Sequence, residues 1–203
     1  ILTLSLVVFG CGGLTTIDTD SDEFDYVEKR KGICTYKGEP FSGTFTNTFE
    51  NGQLRFKRHY KDGRQDGVWE KYFENGQLRK KFTYKDEEYD GVFVEYFEDG
   101  QLHRKVTYKD GEEDGVLVVY FRDGQLKRKE TYKDGEKDGV SEVYFADGQL
   151  NLKWTYKDGE RDGVLERYYE NGQFNEKLTY KDGKQDGVSE EYYKDGQLRN
   201  KKI

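Results

Sequence analysis

The 203-residue chain has no methionine, one proline, two cysteines, two histidines and two tryptophans. Each scarcity excludes something. Two cysteines cannot build a disulfide-dense scaffold. Two cysteines with two histidines leave most zinc-ligand sets unfilled. Hydrophobic residues make up only 33% of the chain and charged residues 37%, so a conventional globular core of this length is not expected. The net charge of −7 argues against a nucleic-acid surface, which needs clustered positive charge. What the chain does have is 17 Tyr, 13 Phe and 24 Gly. Many rings and glycines with a single proline point to strands and tight turns.

The first residues are apolar, from Ile1 to Phe9, and too few to span a bilayer. With no methionine in the chain, residue 1 is not expected to be a translation start. Residues 1–11 read as a truncated lipoprotein signal. Val8-Phe9-Gly10-Cys11 resembles a lipobox, in which the small Gly10 permits cleavage and Cys11 carries the lipid. Residues 12–31, rich in Asp and Glu, read as an acidic tether. The place implied is the bacterial envelope, membrane-anchored, and the outer membrane if the cell is Gram-negative. Cys34 would then be a strand residue without chemistry.

Residues 32–203 are repetitive. Gly43, Gly67, Gly91, Gly115, Gly139, Gly163 and Gly187 recur every 24 residues, and so do Gly52, Gly76, Gly100, Gly124, Gly148, Gly172 and Gly196. The consensus is G-V-x-x-x-Y-[FY]-x-[ND]-G-Q-L-x-x-K-x-T-Y-K-D-G-x-x-D. Each unit reads as a β-hairpin with a two-residue type I′ turn at the Asn-Gly or Asp-Gly step, followed by a longer polar loop at K-D-G-x-x-D. A turn at Asn75-Gly76 places Phe73 opposite Leu78, Trp69 opposite Phe82 and Gly67 opposite Tyr84, with Glu70 opposite Lys81 on the other face. If Lys85 pairs with Asp90, Tyr84 also lies opposite Gly91 and covers bare backbone on both sides. The expected fold is all-β: an elongated single-layer antiparallel sheet of about seven 24-residue hairpin repeats, twisted or coiled.

The period, the G-Q-L core and the trailing Y-K-D-G-x-x-D-G resemble the variant MORN repeats of bacterial proteins, including the YwqK-family antitoxins. The resemblance covers about Tyr36 to Lys201. It implies a hairpin-repeat sheet used for protein or membrane-surface association, and for some members an immunity role against secreted toxins.

No repeated nucleophile–base pair is present, so no catalytic residue is assigned and the chain is not read as an enzyme. His59 and His103 fall in different columns of the repeat. Acidic loops such as Asp110 to Asp114 have oxygen ligands but not the spacing of known calcium loops, and no metal site or cofactor is assigned. The feature that asks for a partner is an apolar column through Phe73, Leu78, Phe97, Leu102, Phe121, Leu126, Phe145, Leu150, Tyr169 and Phe174. The leading expectation is a non-enzymatic, lipid-anchored envelope protein whose sheet binds another protein or itself through that column. It would touch the membrane through Cys11 and take neither nucleic acid nor a small-molecule substrate. An immunity protein against a cognate toxin and an architectural spacer are the alternatives.

Overall fold

The computed structural model describes residues 15–18, 27–30 and 33–203. The segment 1–11 and the lipobox cysteine lie outside the described residues. Every regular element among the described residues is a strand. The chain forms two compact units, Ile1–Gly100 and Gln101–Ile203.

The first unit contains β1 (Thr15–Asp18), β2 (Val27–Arg30), β3 (Ile33–Tyr36), β4 (Glu39–Pro40), β5 (Gly43–Thr48), β6 (Leu54–Lys61), β7 (Arg64–Tyr72), β8 (Leu78–Lys85), β9 (Glu88–Tyr89) and β10 (Gly91–Tyr96). From β5 to β9 successive strands pair antiparallel, and β10 pairs antiparallel with β8. The second unit repeats the plan with β11 (Leu102–Lys109), β12 (Glu112–Glu113), β13 (Gly115–Tyr120), β14 (Leu126–Lys133), β15 (Glu136–Lys137), β16 (Gly139–Tyr144), β17 (Leu150–Lys157), β18 (Glu160–Arg161), β19 (Gly163–Tyr168), β20 (Phe174–Lys181), β21 (Lys184–Tyr192) and β22 (Leu198–Lys202). The all-β hairpin repeat is as the sequence reads. So are the pairs Trp69–Phe82, Gly67–Tyr84 and Glu70–Lys81.

Both turns differ from the sequence reading. At Asn75-Gly76 the Gly76 N–H donates to the Phe73 carbonyl at 2.9 Å, and the Phe73 N–H donates to the Gln77 carbonyl at 2.8 Å. The loop therefore has three residues, Glu74 to Gly76. Gly76 has φ +82° whereas Asn75 is not left-handed. This is a type I turn closed by a left-handed glycine and a bulge. The type I′ turn lies instead at K-D-G-x. Asp110 and Gly111 have φ +48° and +85°, and Lys109 pairs with Glu112. The same two-residue link pairs Tyr84 with Tyr89 rather than with Gly91. A side chain at Gly91 would meet Thr83, at 3.9 Å, and φ there is +98°. The glycine therefore serves a left-handed bulge, and the expected covering of Gly91 by Tyr84 is not what fixes it.

The side chains at the turns bind neighbouring hairpins together. The Asn75 Nδ2 donates to the Glu98 carbonyl at 2.9 Å, one repeat on. The Gln125 side chain lies where a Cβ on Gly148 would sit, at 2.7 Å, so Gln packs against the bare turn of the following repeat. On the opposite edge the Gly135 N–H donates to the Glu113 carbonyl at 3.0 Å, and the Gly159 N–H donates to the Lys137 carbonyl at 2.9 Å.

The core of the first unit is aromatic. Ile17, Cys34, Phe41, Phe45, Tyr60, Trp69 and Phe82 are buried together. Phe41 stacks on Phe45 with centroids 4.3 Å apart, and the ring contacts continue through Tyr60 and Trp69 to Phe82. Cys34 is a buried thiol in this cluster. The cover comes from the N-terminal side. The Cys34 N–H donates to the Gly63 carbonyl and the Gly63 N–H to the Phe41 carbonyl, both at 2.8 Å. Two stretches inside the span read as a tether are strands. Thr15–Asp18 pairs parallel with β5 and buries Ile17, and Val27–Arg30 pairs antiparallel with β3. A four-residue parallel strand is held by non-local pairing, which acidic composition does not report.

In the second unit the buried residues are Val106, Leu117, Glu130, Ser141 and Leu165. They occupy the columns that hold Phe82 and Trp69 in the first unit, one or more repeats on.

Candidate binding surface

The ten apolar residues singled out from the sequence do not form one column. The bulge at each Asn-Gly or Asp-Gly tip adds one residue to the second strand of the hairpin. Tyr72, not Phe73, therefore lies opposite Leu78. Likewise Tyr120 faces Leu126, Tyr144 faces Leu150 and Tyr168 faces Phe174. A shift of one residue moves a side chain to the other face. Leu78, Leu126, Leu150 and Phe174 thus join the Tyr column on the face that carries Glu70, Glu142 and Glu166. Phe73, Phe121, Phe145 and Tyr169 lie at the tips of the opposite face. Phe97 and Leu102 sit at the corresponding repeat positions in β10's and β11's hairpin arms, each half-buried. All ten are half-buried, none fully covered.

The Tyr and Leu column is chemically regular. The rings of Tyr168 and Phe174 are 4.8 Å apart, and Phe174 is 5.9 Å from Tyr192. Where a glutamate stands two residues before the tyrosine, the hydroxyl donates to it: Tyr72 to Glu70, Tyr144 to Glu142 and Tyr168 to Glu166, each at 3.0 Å, whereas Val118 takes that place before Tyr120. Lys81 pairs with Glu70 at 3.0 Å, and Lys201 with Glu190 at 2.8 Å. Burial and the hydrogen bond to glutamate push the Tyr72 and Tyr168 hydroxyls up to about 12. Burial raises the Glu70 carboxyl, but the hydrogen bonds from Lys81 and Tyr72 outweigh it and its pKa is lowered. Beside this column stands one that sequence reasoning missed. Val92, Val116, Val140 and Val164 are exposed, the last three opposite Thr131, Thr155 and Thr179. The recurring G-V step carried the signal.

The tip column is capped differently. Arg55 stands over Phe49, Arg79 over Phe73, Lys127 over Phe121 and Arg199 over Tyr193, with 5.4 to 5.8 Å from charge to ring centroid. These are cation–π contacts within a hairpin. Beside Phe145 and Tyr169 the equivalent residues are Asn151 and Asn175.

The remaining polar residues assemble no reactive centre. His59 Nδ1 lies 2.9 Å from Thr44 Oγ1, and burial lowers its pKa. Ser141 is fully buried and its hydroxyl has no partner among the described residues, which suits a small core residue rather than a nucleophile. Glu130 is buried too and is held by Lys137 at 2.7 Å and by the Tyr132 hydroxyl at 3.1 Å. Among the described residues no group of three or more His, Cys, Asp or Glu is arranged to hold a metal ion.

No curated protein matches the chain. The family model described as MORN repeat variant matches it seven times, at residues 42–62, 65–86, 89–110, 113–134, 137–158, 161–182 and 185–202. The matches tile the hairpins from β5 to β22 and cover well over half of the sequence, so the chain belongs to the MORN repeat variant family.

Proposed function

We propose that this protein is a non-enzymatic envelope scaffold, held to a membrane by a lipid on Cys11, whose repeat sheet docks another protein. MORN repeats commonly take part in protein or membrane interactions, and proteins built from them are generally structural rather than enzymatic. The observation that carries the reading is the Tyr and Leu column of the second unit. Tyr120–Leu126, Tyr144–Leu150 and Tyr168–Phe174 repeat at one register with half-buried side chains, next to the exposed Val116, Val140 and Val164. An apolar strip flanked by the Glu142–Lys153 and Glu166–Lys177 pairs has the composition of an interface core with a polar rim.

The test is affinity capture from native membranes with the lipidated protein, against a Leu126→Lys, Leu150→Lys variant. Capture of a foreign protein by the native chain and its loss in the variant is the expected result. A captured toxin would make the protein an immunity factor related to the YwqK-type antitoxins. Recovery of the chain alone would assign the strip to self-association, and identical captures from both forms would favour a spacer. Membrane fractionation of Cys11→Ser tests the anchor separately, with release to the soluble fraction expected.

A further inference from the structure

The hairpin tips of the second unit carry a second surface, mostly on the face opposite the Tyr and Leu column, of which Tyr168 alone touches it. An open groove of about 500 Å³ is lined there by Phe145, Tyr169, Asn151, Asn175, Arg167 and Lys194. Its origin is local. At four other tips an Arg or Lys lies over the ring. Asn151 and Asn175 take that position in two adjacent hairpins, and a short amide cannot reach across the ring as a guanidinium does. The groove opens where the two cations are missing. Neither amide has a hydrogen-bond partner among the described residues. The Tyr169 hydroxyl donates to the Tyr192 carbonyl at 3.0 Å, which pins that ring in place. Lys194, from the following hairpin, stands over the Tyr169 ring at 5.9 Å in place of the cation missing from Tyr169's own hairpin, and a sugar stacking there would displace its flexible side chain.

We infer that this groove binds a β-1,4-linked oligosaccharide, with Phe145 and Tyr169 as stacking platforms and Asn151 and Asn175 as hydroxyl readers. The two rings occupy the same position in successive hairpins, two strands apart, which is about 10 Å. A β-1,4-linked chain of pyranoses turns each sugar over relative to the last. Every second sugar therefore presents the same face, at a spacing close to that of one hairpin repeat. Such sugars are flat, with apolar C–H faces that suit an aromatic platform and equatorial hydroxyls pointing sideways. An amide side chain both donates and accepts, which is what a hydroxyl needs. Arg167 and Lys194 add donors at the rim. The platforms are fixed by the sheet, so little ordering is lost on binding. A quaternary ammonium ligand would need an aromatic cage of several rings, and the groove's rings sit one hairpin repeat apart.

Calorimetric titration of the purified full chain with cellohexaose, chitohexaose and the α-1,4-linked maltohexaose tests the inference. Binding of cellohexaose or chitohexaose is expected, with maltohexaose much weaker, and the preferred one of the first two identifies the sugar. Asn151→Arg with Asn175→Lys restores the cations found at Arg79 and Lys127 and should weaken binding by about tenfold or more. Its thermal unfolding should match the native chain, because those residues already occupy the same site in other hairpins. Tyr169→Leu provides a second variant, with the same loss expected. The Leu126→Lys, Leu150→Lys form, altered on the other face, should bind sugar normally. No heat with either β-linked glycan at millimolar concentration, equal affinity for maltohexaose, or native affinity in both groove variants would overturn the inference.

Discussion

Glu87 stands at the second position of a type I′ turn where the other K-D-G links carry glycine. Asp86 and Glu87 have φ +50° and +71°. A non-glycine residue held left-handed costs roughly 1–2 kcal/mol. The return is an exposed ion pair with Arg64 at 2.7 Å, which contributes at most about 1 kcal/mol. Glu87→Gly should therefore raise stability by up to about 1 kcal/mol, read as a higher urea midpoint at unchanged slope. Glu130 shows the opposite case. Its column holds Phe82, Val106, Trp154 and Leu178 in other hairpins, yet here a carboxylate is buried against Lys137. Glu130→Ala leaves a void and strips Lys137 of its partner, and should cost roughly 2–4 kcal/mol. Glu130→Leu combined with Lys137→Met removes both charges and fills the space. Equilibrium unfolding of that double variant should come out within about 1 kcal/mol of the native chain, or above it.

At the scale of the hairpin, the two turns can be told apart by one proline. In the type I turn at the tip, Glu74 is the first central position, where φ suits proline. Glu74→Pro should fold normally and gain about 0.4–1 kcal/mol from a stiffer unfolded chain. If the tip were a two-residue type I′ turn, Glu74 would be a paired strand residue and the same change would destabilise, so a urea melt decides. The exchange of the two turn types explains what the sequence did and did not disclose. Pairs near the middle of the strands, such as Trp69–Phe82 and Glu70–Lys81, follow from side-chain alternation. Asn-Gly and Asp-Gly satisfy a left-handed glycine in either turn, so the dipeptide leaves the loop length open by one residue. That one residue is Glu74, and a bulge at Arg79, at the shift between Lys71 and Tyr72, brings the strands back into the expected register. It separates Leu78 from Phe73 and divides a candidate surface into two. The cation caps at the tips, and their replacement by Asn151 and Asn175, become meaningful only once Arg79 is known to share a side with Phe73.

For the molecule as a whole, repetition makes many small terms act together. Tyr72 and Tyr168 titrate near 12 in the folded chain, and Tyr144 and Tyr192 are raised as well. Below about pH 10, the ordinary tyrosine value, both folded and unfolded chains hold these protons. Between about 10 and 12 the unfolded chain releases them while the folded chain retains them, so stability falls as pH rises. Thermal melts should shift little up to pH 9 and fall above 10, and Tyr72→Phe with Tyr168→Phe should flatten that fall. Repetition also sets how stability depends on length, because each hairpin pairs with its neighbours. Removing residues 163–186 joins Asp162 to Gly187 in register. Leu152 and Lys153, which face Arg167 and Glu166, would then face Glu191 and Glu190. The Lys–Glu pair is kept, and Trp154 again lies beside a serine, Ser189, as it does beside Ser141. The shortened chain should fold cooperatively with a urea slope lower by about an eighth, in proportion to the surface removed. Loss of strand circular dichroism in that variant would show that the second unit needs contacts beyond those between adjacent hairpins.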